Sequence, residues 1–209
     1  MEQRRLTAKG RATRDRIVSV AAQLMSERGV AGTSLSDVQT TAGVGASQVY
    51  HYFGDKQSLI RAVIAHNTES VLDTVRPQTD RLDSMQALRA WRDVLVATMR
   101  QRHCEVGCPL GSLVAQLAEG FPDCRGDLVQ GFDQWETAVR EGLEAMYERG
   151  DLRRSADPAR LAVAILAAVQ GGTLLAHLHR DPAPLETALD EALDRIEDLR
   201  PRRPQPAPQ

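Results

Sequence analysis

Aromatic residues are scarce, with Phe, Tyr and Trp together making up 4% of the 209 residues. Sheets draw on aromatic and β-branched side chains, so this shortage, beside abundant Ala, Leu, Arg and Glu, favours helix over strand. Cysteine is also sparse: Cys104, Cys108 and Cys124 are three in number, which argues against a disulfide scaffold and for a reducing compartment. The opening MEQRRLTAKGRATRDR is charged and lacks the apolar core of a secretory leader. The longest apolar run, LAVAILAAVQGGTLLAHL over 161–178, is short for a membrane span. Gln170, Gly171, Gly172 and His177 interrupt it, so a buried helix and no membrane partner are expected. No phosphate loop and no nucleophile–base set is present, so no enzyme and no cofactor are expected. His103, Cys104 and Cys108 lack familiar metal-ligand spacing, even with Cys124 as a possible fourth ligand, and no metal is expected. These absences leave a soluble cytoplasmic protein.

What is present is a lopsided charge. Residues 1–66 carry nine Lys/Arg against five Asp/Glu, whereas the remaining 143 carry seventeen against twenty-three. A positive front on an acidic body suits contact with a polyanion at one end, though solvated faces alone can produce the same imbalance. The length accommodates a small recognition domain and a second core of ordinary size.

Helical periodicity runs through the chain. Residues 1–12, with Arg4, Arg5, Lys9 and Arg11, read as a flexible basic arm. Ile17, Val20, Ala21, Leu24 and Met25 form one apolar stripe of a helix from Thr13 to Arg28, which Gly29 stops. Ser34, with Asp37 three residues on, marks the capped start of a second helix that ends at Gly43. A third helix spans Ala46–Phe53, and Asp55 caps a fourth over Lys56–Val75. Further helices are expected near Ser84–Arg102, Leu110–Ala118, after Cys124 to Arg149, from Pro158 to His177 and over Leu185–Leu199, followed by the tail PRRPQPAPQ. No strand or internal repeat is expected. The fold class is all-α, with about nine helices: an N-terminal three-helix bundle and a larger C-terminal helical domain. The expected domains are a basic arm (1–12), a helix-turn-helix domain (13–54), an effector-binding and dimerisation domain (55–200) and a disordered tail (201–209).

Two short helices joined by a glycine turn, the second polar on its outer side, match the helix-turn-helix pattern. An α-helix fits the major groove, where each base pair shows a distinct set of donors and acceptors. The first turn of the third helix then faces the bases: Ala46 for a thymine methyl, Ser47 as donor or acceptor, Gln48 for a bidentate pair with adenine. Tyr50, Tyr52 and Lys56 suit phosphates, and His51 stays open between base and phosphate. Val49, Tyr52 and Phe53 cluster on the opposite side.

The run TSLSDVQTTAGVGASQVYHYFGDKQSLIRAVI, preceded by TRDRIVSVAAQLMSERG, resembles the DNA-binding domain of the TetR/AcrR family of bacterial transcriptional repressors. The bracing helix, the AGV turn, the VYHYF recognition helix and the following DKQSL occur in order over residues 13–64. The resemblance implies an all-helical homodimer whose hold on a double-stranded DNA operator is released by an inducer. It places Thr33, Ser34, Ala46, Ser47, Gln48, Tyr50, His51 and Lys56 at the family's DNA-contact positions, and Arg14 at a backbone contact. Two positions depart from the pattern: Gly45 stands where a capping Ser is usual, and Gln39 where a small residue is usual. GCPLGSLVAQLAE, the helix bearing Trp135 and QGGTLLAHLHRD are loosely similar to the LmrA/YxaF-type subgroup.

In the second half, Trp91, Met99, Cys108, Phe121, Phe132, Trp135, Met146 and His177 are candidates to line an apolar effector pocket, against the plainer reading that they are core. Helices at about 159–178 and 185–199 are candidates for the homodimer interface, against a central helix within one subunit. Cys108, near a helix start, and Cys124 offer a thiol-based redox or electrophile switch. The competing reading is three buried or incidental thiols.

Overall fold

The computed structural model describes residues 6–75, 82–117 and 121–201. Among them there are nine α-helices, one 3-10 turn and no strand. The helices are α1 (Ala8–Arg28), α2 (Leu35–Ala42), α3 (Ala46–Phe53), α4 (Lys56–Val75), α5 (Met85–Gln101), α6 (Gly111–Leu117), α7 (Arg125–Glu148), α8 (Pro158–His179) and α9 (Ala183–Asp198), with the 3-10 turn over Pro122–Cys124. The all-helical expectation holds. The end of the fourth helix at Pro77, the GFPDC break as far as Gly120 and the tail beyond Pro201 lie outside the described residues.

One boundary needs correction. α1 starts at Ala8, not Thr13, because Thr7 caps it by accepting the Gly10 N–H at 3.1 Å. Gly10, read from sequence as part of a flexible arm, is absorbed into the first turn. Lys9 and Arg11 are therefore helical.

The helices group into two compact units, and the division falls after Val71 within α4 and after Phe132 within α7. The first unit contains residues 1–71 and 109–132. Ile17, Ala21 and Met25 of α1, Val38 of α2, Val49 and Phe53 of α3, and Leu59, Ile60, Val63 and Ile64 of α4 are buried in it, as are Leu110, Leu113, Leu117 and Leu128. Close approach of α4 and α7 depends on Gly131, where an added Cβ would lie 2.5 Å from Thr68 Oγ1. Asn67 Nδ2 donates to the Pro109 carbonyl at 2.8 Å, so a buried amide ties α4 to the chain entering α6.

The second unit contains residues 72–108 and 133–209. Leu88, Trp91 and Val96 of α5, Trp135, Val139, Leu143 and Met146 of α7, Ile165 and Val169 of α8, and Leu185, Leu189, Leu193 and Ile196 of α9 are buried. α8 packs along α9, where a Cβ on Gly172 would lie 2.8 Å from the Leu185 Cα. α5 is laced to α9 by charges: Arg92 forks onto Asp190 at 2.9 and 2.7 Å, Arg89 reaches Asp194 at 3.2 Å, and Arg100 reaches Glu186. By length and composition α8 could cross a membrane, and 33% of its most apolar stretch is buried. Val163, Leu174, Leu175 and Leu178 lie exposed on it.

Candidate nucleic-acid interface

The local sequence dictates how α2 and α3 form. Ser34 accepts the Asp37 N–H at 3.1 Å and Asp37 accepts the Ser34 N–H at 2.8 Å, a reciprocal box that satisfies two helix-terminal donors. The Ser34 side chain and backbone hold the Asp37 carboxyl below the usual carboxylate range. α2 stops at Gly43, whose φ of 62° and ψ of 44° are left-handed. An added Cβ there would meet nothing within 4 Å, so the requirement for glycine is one of backbone conformation alone. Asp55 then caps α4 by accepting the Ser58 N–H at 2.7 Å, and that bond holds its carboxyl below the usual range.

α3 is anchored by its two buried side chains, Val49 and Phe53. Ala46, Ser47, Gln48, Tyr50 and His51 are all exposed, and Tyr50 is 59% exposed. Tyr52 is half-buried, with its ring 5.2 Å from that of His51 and 6.3 Å from that of Phe53. The start of α1 lies beside it, since a Cβ on Gly10 would sit 3.5 Å from the Tyr52 hydroxyl. Arg14 stacks over the Phe53 ring at 5.5 Å, which places a guanidinium beside the end of α3. Lys56, half-buried, follows at the first turn of α4.

Thr33 is set apart from the other candidates. It is 1% exposed, and its hydroxyl donates to the Gly29 carbonyl at 2.9 Å, so its side chain braces the α1–α2 turn. Ser34 remains exposed at the start of α2. Gly45, lacking a side chain, gives α3 no cap of its own; its N–H instead donates to Gln48 Oε1 at 3.1 Å.

The sequence reading missed Gln116. Its Oε1 accepts the buried Val30 N–H at 2.7 Å, and its Nε2 donates to the Ser112 carbonyl at 3.0 Å. α6 is thereby tied to the turn that follows α1. Nearby, Gln57 donates to Asp123 at 2.9 Å and Arg61 pairs with Asp127 at 3.4 Å. These are partners 66 to 86 residues apart, which no local pattern reveals.

The candidate effector residues are divided between the units. Phe121 and Phe132, both half-buried, belong to the first, and Trp91, Met99, Cys108, Trp135, Met146 and His177 to the second. Trp91, Met99, Trp135 and Met146 are core residues. His177 Nδ1 and Arg180 both hold the Cys104 carbonyl at 2.9 Å, across a turn where His103 and Cys104 have φ of 50° and 55°. Cys108 is half-buried and its sulfur accepts from Gln170 Nε2 at 3.4 Å. Cys124 is buried, and that burial pushes its thiol up. Among the described residues there is no cluster of three or more His, Cys, Asp or Glu that could hold a metal.

Residues 17–63 match the family described as bacterial regulatory proteins, tetR family, and residues 84–192 match the tetracyclin repressor-like C-terminal domain. The chain is 29% identical over 184 residues to an uncharacterised helix-turn-helix transcriptional regulator from the lacX 3′ region of Lactococcus lactis, covering 86% of this chain and 91% of the relative. It is 27% identical over 184 residues to the transcriptional repressor NemR of Escherichia coli, covering 85% and 90%. Among solved structures, a TetR transcriptional regulator from Chloroflexus aurantiacus superposes with a TM-score of 0.78 at 27% identity, covering 93% of this chain and 98% of that one.

Proposed function

The chain belongs to the tetR family of bacterial regulatory proteins and is a DNA-binding transcriptional regulator, and we propose that it is a homodimeric repressor released from its operator by a small apolar or aromatic ligand. The observation that carries the DNA-binding face is α3: eight residues held by two buried anchors, with Ala46, Ser47, Gln48, Tyr50 and His51 exposed. Seated in the major groove, that face presents Ala46, Ser47 and Gln48 to base edges. Ser34, Tyr50, Tyr52, Lys56 and Arg14 take phosphates, and His51 lies between the two sets. Thr33 positions the turn from inside. A dimer brings two such helices to successive major grooves about 34–36 Å apart on one face of the duplex.

The exposed apolar side chains Val163, Leu174 and Leu178 of α8 supply the surface on which two copies pair. α9 flanks them. An effector acts by its different affinity for the two separations of the recognition helices. The alternative is a thiol-based redox or electrophile switch at Cys108 and Cys124; burial disfavours the reactive thiolate at Cys124, which leaves the half-buried Cys108 to carry it. The test is binding of the purified protein to duplexes from its own upstream DNA, across salt concentrations and with candidate ligands. Salt-sensitive, sequence-preferring binding that a hydrophobic ligand reverses is expected; binding indifferent to sequence would refute the reading.

A further inference from the structure

The turn between α1 and α2 is held from outside the helix-turn-helix. Gln116 Oε1, from α6, accepts the Val30 N–H at 2.7 Å, and a Cβ on Gly29 would lie 3.4 Å from that same oxygen. Gln116 Nε2 donates to the Ser112 carbonyl at 3.0 Å, which fixes the amide with its oxygen toward Val30. The rest of the turn closes on itself. The Thr33 N–H donates to the Val30 carbonyl at 3.4 Å, and the Thr33 hydroxyl donates to the Gly29 carbonyl at 2.9 Å. Ser34, the N-cap of α2, comes next.

We propose that Gln116 is a positioning residue for DNA recognition: through the Val30 N–H it sets the turn that delivers α2 and α3 to the duplex. The inference rests on α3 reading base edges, as proposed above. Val30 is 1% exposed, so without Gln116 its N–H gains an acceptor only if the turn opens toward water. Such an opening tilts α2, and α3 with it, away from the geometry that base contacts need. Base contacts require placement within about 0.5 Å, whereas phosphate contacts carry no sequence information and tolerate a shift. Loss of Gln116 therefore costs discrimination between sequences more than it costs grip.

The same corner of the fold holds the other side of α3. Asn67, 6% exposed, donates from α4 to the Pro109 carbonyl at 2.8 Å, and the Ser112 hydroxyl donates to that carbonyl at 3.2 Å. Nearer the start of α4, Gln57 reaches Asp123 at 2.9 Å and Arg61 reaches Asp127 at 3.4 Å. These two pairs are exposed and contribute little each, so the buried bonds at Val30 and Asn67 carry the arrangement. Residues 109–132 fall in one compact unit with residues 1–71. α6 and the start of α7 thus belong to the part of the chain that reads DNA.

The experiment compares affinities for a selected duplex and a scrambled one, using the wild-type protein, Gln116→Ala, Gln116→Glu and Leu143→Ala. All are measured at a temperature where melting curves show each protein folded. Leu143, fully buried in the other unit, is the control for lost stability alone. Gln116→Ala should lower the preference for the selected duplex about tenfold while leaving affinity for the scrambled one unchanged. Gln116→Glu, which keeps an acceptor for Val30, should recover part of that preference. Leu143→Ala should melt lower and keep the wild-type preference. A wild-type preference in Gln116→Ala would overturn the inference, as would a Gln116→Glu protein no better than Gln116→Ala or an equal loss in Leu143→Ala. If Gln116→Ala does not fold, amide hydrogen exchange of the wild-type protein decides: the selected duplex should slow exchange in α6 as it does in α2, and leave α9 unchanged. Slowing that spares α6, or that is equal in α9, would overturn it. A wild-type protein with no sequence preference fails earlier, at the reading of α3, so the two failures are told apart.

Discussion

The Val30 N–H points into the side-chain amide of Gln116 at 2.7 Å, although the two residues are 86 positions apart. Val30 is 1% exposed, so its N–H has no access to water. Gln116 is held in turn by its own bond to Ser112, which leaves its oxygen aimed at α1. Replacing Gln116 with Ala strands a buried donor, and the expected loss is about 1–3 kcal/mol of unfolding free energy. Gln116→Glu, which retains an acceptor, should recover part of it. Denaturant melts of the three proteins check this, and equal midpoints would count against a structural role for the bond.

The capping box of α2 carries an acid sensitivity. Asp37 is held below its ordinary 3.8 by Ser34, so the folded state binds its proton less readily than the unfolded chain does. The stabilisation is fully present above 3.8 and is lost as pH falls through the lowered folded value. Wild-type stability should drop on acidification below about pH 4, with Asp37→Asn showing a shallower fall. Ser34→Ala should lower stability by about 1 kcal/mol at neutral pH. Circular dichroism melts from pH 3 to 7 would show parallel curves if the box were unimportant.

Gly171 and Gly172 are neighbours with opposite expected behaviour. A Cβ at Gly172 would press against Leu185 Cα at 2.8 Å, whereas one at Gly171 would meet nothing within 4 Å. Gly172→Ala should therefore destabilise the chain by about 1–3 kcal/mol through overpacking. Gly171→Leu should leave its folding intact, and impair pairing if α8 meets a second copy. Unfolding midpoints and light-scattering masses separate the two effects.

The exposed apolar side chains of α8 make a direct claim about assembly. Leu174 and Leu178 are 66% and 69% exposed, an unfavourable arrangement for a lone chain in water. Leu174→Glu with Leu178→Glu should give a folded monomer with weakened operator binding. A protein that keeps its mass and its affinity after both changes would remove α8 from the interface.

Much of this molecule is written in local patterns. The bounds of α3 and α4, the Ser34–Asp37 box, the Asp55 cap and the stop at Gly43 all follow from residues within four positions of one another. Those interactions are chosen by sequence spacing alone. The start of α1 is hidden because residues 1–12 are polar and basic and show no apolar stripe, so only the Thr7 cap marks it. Thr33 read as a surface residue by family position, and its burial depends on the Gly29 carbonyl being turned toward it. Gln116 was invisible because its partner is fixed only once α6 has packed. Gln48 lies between these cases: the weak cap at Gly45 is legible in the sequence, whereas the bond from the Gly45 N–H to Gln48 Oε1 is not.

Operator recognition is proposed to lie in the exposed face of α3. The most direct measurement is fluorescence anisotropy with a selected duplex and a scrambled one, using the wild-type protein and Tyr50→Ala at several salt concentrations. The expected result is tight binding of the wild type to the selected duplex, with affinity falling steeply as salt rises. Tyr50→Ala should weaken that binding at least tenfold while melting at the wild-type temperature. Equal affinity for both duplexes, or an unchanged affinity in Tyr50→Ala, would contradict it.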